Sequence, residues 1–535
     1  MKAQRWKSAL PLLAGLVAVS AWVALPAQAE TPTKGGILKF VVPDEPPSFD
    51  GHKETTFAML HPIAPFYSVL IRVDPENPAK PSDFVCDLCT QIPKAADGGK
   101  TFTFKIRKGV KFHDGSPLTA KDVEASYQRI IFPPQGISSA RRAQFGMVES
   151  VTAPDEETLV FKLKYASGAF IPLLATPFNF IYSKAMLDKD PRWYERNVMG
   201  SGPFVFESRQ AGAVIKGKRN PSYYHQGKPY LDGFEAIFAK TQTLRVQAIR
   251  GDQAAIEFRG FPPKARDDLV AALGKDITVQ ESDWNCVLLV VPNHTKKPFD
   301  DARVRRALTL AVDRWGGSKD LSKIAIVKRV GGVAFPGHPL AASKAELEQL
   351  AGYWPDLAKS RAEAKRLLQE AGVPDLKFTL HNRGVDQPNT IVGTWLIDQW
   401  KQVGIAVEQK VEASGPFFTS LRNGNFEVTV DFNCQSIVNP LVDTSKFLPS
   451  AGNQFGKFED AELVELHDAM NRTTDEAEQK KLMRAFEKRV LDDAAHNFIA
   501  LWWYRIVPHR TYVKGWKITP SHYLNQDLSV VWLDK

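Results

Sequence analysis

The chain has 535 residues, 44% hydrophobic and 24% charged, the proportions of an ordinary globular protein and not of a disordered or membrane-embedded one. Its 69 basic and 60 acidic residues leave a formal charge of +9, spread without a basic tail or arginine-rich run, so nucleic-acid binding has little support. A chain this long exceeds one hydrophobic core and predicts two or three domains.

Lys2, Arg5 and Lys7 precede an apolar run from Leu10 to Leu25, and Ala27-Gln28-Ala29 has the form of a signal-peptidase site. Cleavage is expected between Ala29 and Glu30. Pro11 and Pro26 leave a run shorter than the about 20 residues that span a bilayer. No cysteine follows it, so an exported chain without a lipid anchor is expected. Loss of 29 residues with three basic side chains leaves 506 residues and a charge of +6.

A glycine turn, Gly35-Gly36, leads into a strand over 37–42 that ends in the proline-rich segment 43–50. Cys86 and Cys89 have the spacing of a redox motif but follow a loop and open no βαβ unit. In an oxidising compartment a local disulfide is the expected reading. Cys286 and Cys434 stand in remote segments without matching histidines, so a zinc site has little support and no metal is expected.

Phe102, Phe104 and Ile106 alternate with polar residues, the period of a half-buried strand. His113-Asp114-Gly115-Ser116 is turn chemistry, and no nucleophile stands beside it to make a catalytic dyad. Thr119 and Asp122 form a capping box that opens a helix, with Val123, Tyr127 and Ile130 as its apolar stripe. Gly200-Ser201-Gly202 fits a tight turn and lacks the G-x-S-x-G form of a nucleophile elbow.

A helix is expected over 243–250, a buried strand over 283–291, and then a helix with Val304, Ala307, Leu308 and Ala311 on one face. Ser360 and Glu363 form a second capping box, for a helix ended by Gly372. Strands at 378–380 and 405–411 flank a helix at 391–403. Helices over 459–493 precede a strand at 498–504. This alternation implies an α/β fold with a largely parallel sheet and ligand contacts at the carboxyl ends of its strands. No H-E-x-x-H, P-loop, EF-hand or dinucleotide motif is present, so catalytic residues and cofactors are expected to be none.

The block RKGVKFHDGSPLTAKDV, residues 107–123, closely resembles the signature of the solute-binding proteins of bacterial ABC importers, in the dipeptide/oligopeptide/nickel receptor family (family 5 of the extracellular solute-binding proteins). The segments 35–50, 199–206, 219–234 and TKKPFDDARVRRALTLAVDR, residues 295–314, carry the same resemblance. It implies a two-lobed periplasmic binding protein fold with an extra accessory domain in the first lobe. The domains would be a signal peptide at 1–29, a first lobe of 30–72, 199–290 and 508–535, an accessory domain of 73–198 and a second lobe of 291–507. The job implied is capture of a small organic solute or peptide between lobes that close about a hinge near 287–293 and 502–508. The partners implied are importer permease subunits with cytoplasmic ATPases. A monomer is expected, and a periplasmic location. A ligand-presenting sensor of the same fold is the alternative, a metal or haem receptor is weakened by the lack of a histidine cluster, and a secreted hydrolase lacks its nucleophile and base.

The resemblance also indicates where ligand would sit. Asp44 and Glu45 follow the first strand, and as adjacent repelling carboxylates they are candidates to line the cleft. Trp284, Asn285 and Cys286 stand near the lobe crossing, and Arg383 follows the 378–380 strand, where it would meet an anionic group. The segment 426–440 fits, without gaps, a family pattern of strand, Gly-Asp, two residues, Asp-Pro. The resemblance implies that the aspartate of Gly-Asp holds a peptide's α-ammonium. Here that pair reads Gln435-Ser436 and the later one Asn439-Pro440, and Phe432, Asn433, Cys434 and Ser436 become candidate ligand contacts. A serine lacks the charged bond a buried ammonium needs. A small organic solute or modified amino-acid derivative is therefore expected to bind better than plain di- and tripeptides.

Overall fold

A computed structural model describes residues 31–77, 83–473 and 475–535. The expected leader and its cleavage site lie outside the described residues. No helix among the described residues is long and apolar enough to cross a membrane.

Two sheets organise the molecule, each at the centre of one lobe. The smaller has four strands in the order Ile37–Val42, Gly233–Phe238, Val214–Arg219, Phe204–Gln210, the first pair parallel and the others antiparallel. The larger has six, in the order Val327–Arg329, Phe498–Arg510, Ile277–Pro292, Val428–Cys434, Lys377–Arg383, Ala406–Glu412. Only its last two pairings are parallel. The expectation of a largely parallel sheet is corrected. The chain leaves the first lobe along Ile277–Pro292 and returns along Phe498–Arg510, so these two long strands run opposite ways side by side.

Their pairing is interrupted midway. It runs unbroken from Ile277↔Arg510 to Asp283↔Tyr504, shifts register, and resumes at Val287↔Trp502. On the near side His509 bridges to Ile256 beside the small sheet. On the far side, alternate residues enter different cores. Leu288 and Val290 pack with Leu308, Leu380 and Trp400, whereas Val287, Leu289 and Val291 pack with Met483, Phe486 and Trp502. A strand covered on both faces is apolar at successive positions, which is why 286–291 reads as one hydrophobic run.

The signature block forms part of a third core, built by Phe102, Phe104, Val123, Tyr127, Phe161 and Phe170. Thr101–Lys105 is a strand and Ala120–Ile131 a helix with both halves of the Thr119/Asp122 capping box in place. Thr119→Ala should therefore cost about 1 kcal/mol, read as a lower urea midpoint with unchanged slope. His113 serves attachment. Its Nδ1 accepts from the Gly200 N–H at 3.4 Å and its Nε2–H donates to the Gly202 carbonyl at 3.1 Å, so the neutral Nε2–H tautomer ties this core to the first lobe. Burial pushes its pKa down to about 4. The glycines of Gly200-Ser201-Gly202 are needed for contact, since a side-chain carbon at either would collide with the Phe66 backbone, and also with the Tyr67 ring at Gly200 and the Tyr67 backbone at Gly202.

One capping expectation is corrected. The helix Leu357–Glu370 begins a turn before Ser360, with Asp356 accepting from the Lys359 N–H at 2.9 Å. Ser360 is buried inside it and donates to the Leu310 carbonyl at 2.7 Å.

Candidate ligand-binding cleft

Three strands end at the same place, Ile37–Val42 from the first lobe and Lys377–Arg383 and Val428–Cys434 from the second. The residues just past or at those ends meet across the interlobe space, as expected for carboxyl ends of strands in an α/β fold. Asp44 is buried; its Oδ1 accepts from the Glu45 N–H at 2.9 Å, and its Oδ2 accepts from the Ser414 N–H at 3.0 Å and from the Ser414 hydroxyl. Arg383 completes the chain of bonds, with Nε–H donating to Ser414 Oγ at 2.6 Å and Nη2–H to Thr56 Oγ1 of the first lobe at 2.9 Å. Its guanidinium lies 4.8 Å from the Phe57 ring centre and 5.2 Å from that of Phe418. Glu45 departs from the expectation. It turns outward to pair with Arg209 at 2.9 Å, because two adjacent carboxylates separate when only one has buried donors.

Two further buried arginines, unmarked in the sequence, face the same space. Arg259 covers the Phe57 ring at 4.1 Å and donates from Nη2 to the Gln387 carbonyl at 2.8 Å. Arg141 lies over Phe178 at 4.7 Å and donates from Nη2 to the carbonyls of Gly51 and, at 2.8 Å, Glu54. Burial pushes the pKa of both Arg259 and Arg141 down to about 10 and lowers that of Arg383, with Asp44 opposing the effect on Arg383 and Glu257 that on Arg259. Among the described residues none of the three guanidiniums bonds a carboxylate, and the Nε–H groups of Arg259 and Arg141 have no acceptor. Tyr523 donates its hydroxyl to the Thr55 carbonyl at 2.7 Å and lies within the electrostatic reach of all three guanidiniums.

The remaining sequence candidates divide into lining and scaffold. Phe432, Asn433, Cys434 and Ser436 line a small pocket, about 20 Å³ in volume, whose lining also includes Arg141 and Phe178. Trp284 is fully buried and donates from Nε1 to His522 Nδ1 at 2.8 Å, edge-on to Trp503. Burial holds His522 far below its usual pKa, and His61 at about 3, so neither adds charge. Asn285 anchors the pocket wall, donating to the Ile437 carbonyl at 3.1 Å while its own carbonyl accepts from the Gln435 N–H at 3.1 Å. Cys286 is fully buried and absent from the pocket lining, whereas Cys434 lines the wall as half of a disulfide. They stand opposite each other on paired strands and form a disulfide, which removes both thiols. Cys86 and Cys89 form the expected local disulfide, in the third core. Asp431, a conceivable substitute cation anchor, is neutralised by buried Lys446 at 2.6 Å.

The chain matches the profile of the bacterial extracellular solute-binding proteins, family 5, over residues 83–455. It is 30% identical over 416 residues to Di/tripeptide-binding protein 2 of Pseudomonas aeruginosa, covering 70% of each chain. Among solved structures, the Escherichia coli murein tripeptide binding protein MppA superposes with a TM-score of 0.81 at 19% identity, covering 94% of this chain and 99% of that one. AgaA of A. tumefaciens R10 in complex with agropinic acid superposes with a TM-score of 0.80 at 23% identity, with the same coverage. At those identities the structural likeness is one of fold.

Proposed function

Because this chain belongs to the bacterial extracellular solute-binding proteins of family 5, we propose that the solute it captures is a small organic acid whose carboxylate is held by Arg383 and Arg259. The family consists of binding proteins and not enzymes, and the chain is the substrate-binding component of an ABC importer, capturing its ligand between two lobes and delivering it to the membrane transporter.

The finer assignments are our reading. We take 30–72, 199–290 and 508–535 as the first lobe, 73–198 as the accessory domain and 291–507 as the second lobe. We assign the hinge to the register shift at 283–287 against 502–504, just before the expected 287–293 on one strand and within the expected 502–508 on the other. Export after cleavage at Ala29 and a monomeric periplasmic receptor complete it.

The observation that carries the ligand class is the set of three buried guanidiniums with no carboxylate in contact. Withdrawing a charge from water costs several kcal/mol unless a partner of opposite sign replaces the solvent. In an open cleft water does this; in a closed one a ligand carboxylate would, and Arg is suited to it by its two-pronged geometry. The neighbouring carboxylates are already committed, Asp44 to Ser414 and Asp431 to Lys446. Ser436 offers no charge to an ammonium. The same fold holds agropinic acid in AgaA, so an acid is a ligand it can accommodate.

Protein purified without refolding from periplasmic extract, then denatured and examined by mass spectrometry, should release a carboxylate-bearing solute. Added back at a hundred times its Kd, that solute should stabilise the protein by about 2.7 kcal/mol and raise its Tm. Recovery of a peptide with a free ammonium and neutral side chains as the enriched ligand would overturn the acid reading.

A further inference from the structure

The proposal above uses the Arg383 end of the cleft. Arg141 lines a pocket with Ser436 that Arg383 and Arg259 do not line, and we infer that the ligand bears a second anionic group there, held by Arg141 beside Ser436, so that the substrate class is a diacid without a free ammonium at that end. This rests on the acid reading and extends it to the ligand's second charge.

Arg141 is 4% exposed and lines the same pocket as Ser436. Its Nη2 is satisfied by the two carbonyls already named, while its Nε–H has no acceptor. The acidic groups around it are engaged elsewhere. Asp50 accepts from both Nη1 and Nη2 of Arg129, at 3.2 and 2.6 Å, and from the Tyr182 hydroxyl at 3.0 Å. The Glu54 carboxyl accepts from Ser48 Oγ at 2.8 Å, and burial favours its protonated form. The positive charge on Arg141 is therefore not offset by any carboxylate in contact with it.

The rest of that lining has the opposite character from a site for ammonium. At the position where the family pattern has aspartate, Ser436 brings a neutral hydroxyl, 5% exposed. Its neighbours are amides bonded to one another, Gln435 Nε2–H to Asn433 Oδ1 at 2.7 Å and Gln144 Nε2–H to Gln435 Oε1 at 3.3 Å. An ammonium placed here would meet a buried guanidinium and no carboxylate; a carboxylate would meet a charged donor and a hydroxyl. Thr55, whose carbonyl accepts from the Tyr523 hydroxyl, lines the Arg141 pocket, and its neighbour Thr56 accepts from Arg383, so the two cation sites adjoin and one small molecule can span them.

The test is calorimetric titration of α,ω-dicarboxylates of four to seven carbons, each beside its own monoamide, with Ala-Ala as the ammonium-bearing probe. The wild type should bind at least one dicarboxylate about ten- to a hundredfold more tightly than its monoamide. Arg141→Gln should shrink that gap to within about threefold, and Arg141→Lys should restore part of it. Ser436→Asp, which adds a carboxylate without touching the Arg141 bonds, should weaken the dicarboxylate at least tenfold and narrow its lead over Ala-Ala; it decides the matter if Arg141→Gln melts early. Arg383→Gln should weaken dicarboxylate and monoamide alike, which separates failure at this end from failure of the acid reading. A wild type that binds no dicarboxylate better than its monoamide overturns the inference, as does a gap that survives both Arg141→Gln and Ser436→Asp.

Discussion

Arg383→Gln will weaken binding of the acidic solute by about a hundred- to a thousandfold, the largest single effect expected in the cleft. Removing one partner of a buried, hydrogen-bonded charge pair costs about 2–5 kcal/mol, much of it from the charge left behind, and here that charge is the ligand's carboxylate. Arg383 also joins the lobes, reaching Thr56 in the first and Ser414 in the second. Glutamine is too short to keep both bonds, so closure around the ligand loses a contact as well. Arg383→Lys should recover only part of the loss, since an ammonium keeps the charge but not the fork or the stacking on Phe57 and Phe418. The ligand-free variant should keep its Tm within a few degrees of the wild type, because the side chain pairs with no carboxylate there and gives up only hydrogen bonds to two hydroxyl oxygens. Calorimetry with the co-purified solute, and scattering with and without it, read the two parts separately. An affinity within threefold of the wild type would remove Arg383 from the site.

How much of this was legible in the sequence depends on the range of the interaction. The Thr119–Asp122 cap, the alternation of Phe102, Phe104 and Ile106, and the turn at 113–116 are local, and each was readable from a few adjacent residues. The two long strands were legible as apolar runs but not in their full length or direction, because 277–283 and 505–510 carry ordinary polar residues and form their ladder with each other. Ser360 shows the limit of a short motif: Ser-x-x-Glu occurs within the helix, while the actual cap is Asp356, one turn earlier.

The site divides the same way. Arg383 and Ser436 were found by their place relative to a strand end or a family pattern. Arg141 and Arg259 were missed, since an arginine in Ser-Ala-Arg-Arg-Ala or Phe-Arg-Gly reads as surface until Phe178 and Phe57 are seen beneath it. Asp44 and Glu45 read as a pair because they are adjacent, yet they part in the bend after the strand, and only Asp44 turns in.

Replacing Cys286 and Cys434 together by alanine should destabilise the second lobe by about 2–5 kcal/mol, the largest stability effect expected of any pair in the chain. The two residues are separated by 148 positions, and a cross-link that closes so long a loop removes much of the unfolded chain's freedom, about 5 kcal/mol in the chain-entropy account and usually less when measured. The Cys86–Cys89 bridge spans a separation of 3, so the same account gives it about 2 kcal/mol or less. Urea unfolding of the two double variants, followed by tryptophan fluorescence, compares them directly, and the long-loop variant should have the much lower midpoint. The sheet itself resists the change, since Cys286 and Cys434 already pair in register and are flanked by Val287↔Asn433 and Leu288↔Phe432. Equal midpoints for the two variants would mean that the strand pairing alone holds this junction. The bridge also fixes the point from which residues 435–439 depart toward the pocket, and Ser436 is two residues beyond it. Loss of the bridge should therefore lower ligand affinity along with stability, by a faster off-rate. A variant that is destabilised yet binds with wild-type kinetics would place the bridge's whole contribution in the unfolded chain and leave the positioning of Ser436 to the Asn285 bonds.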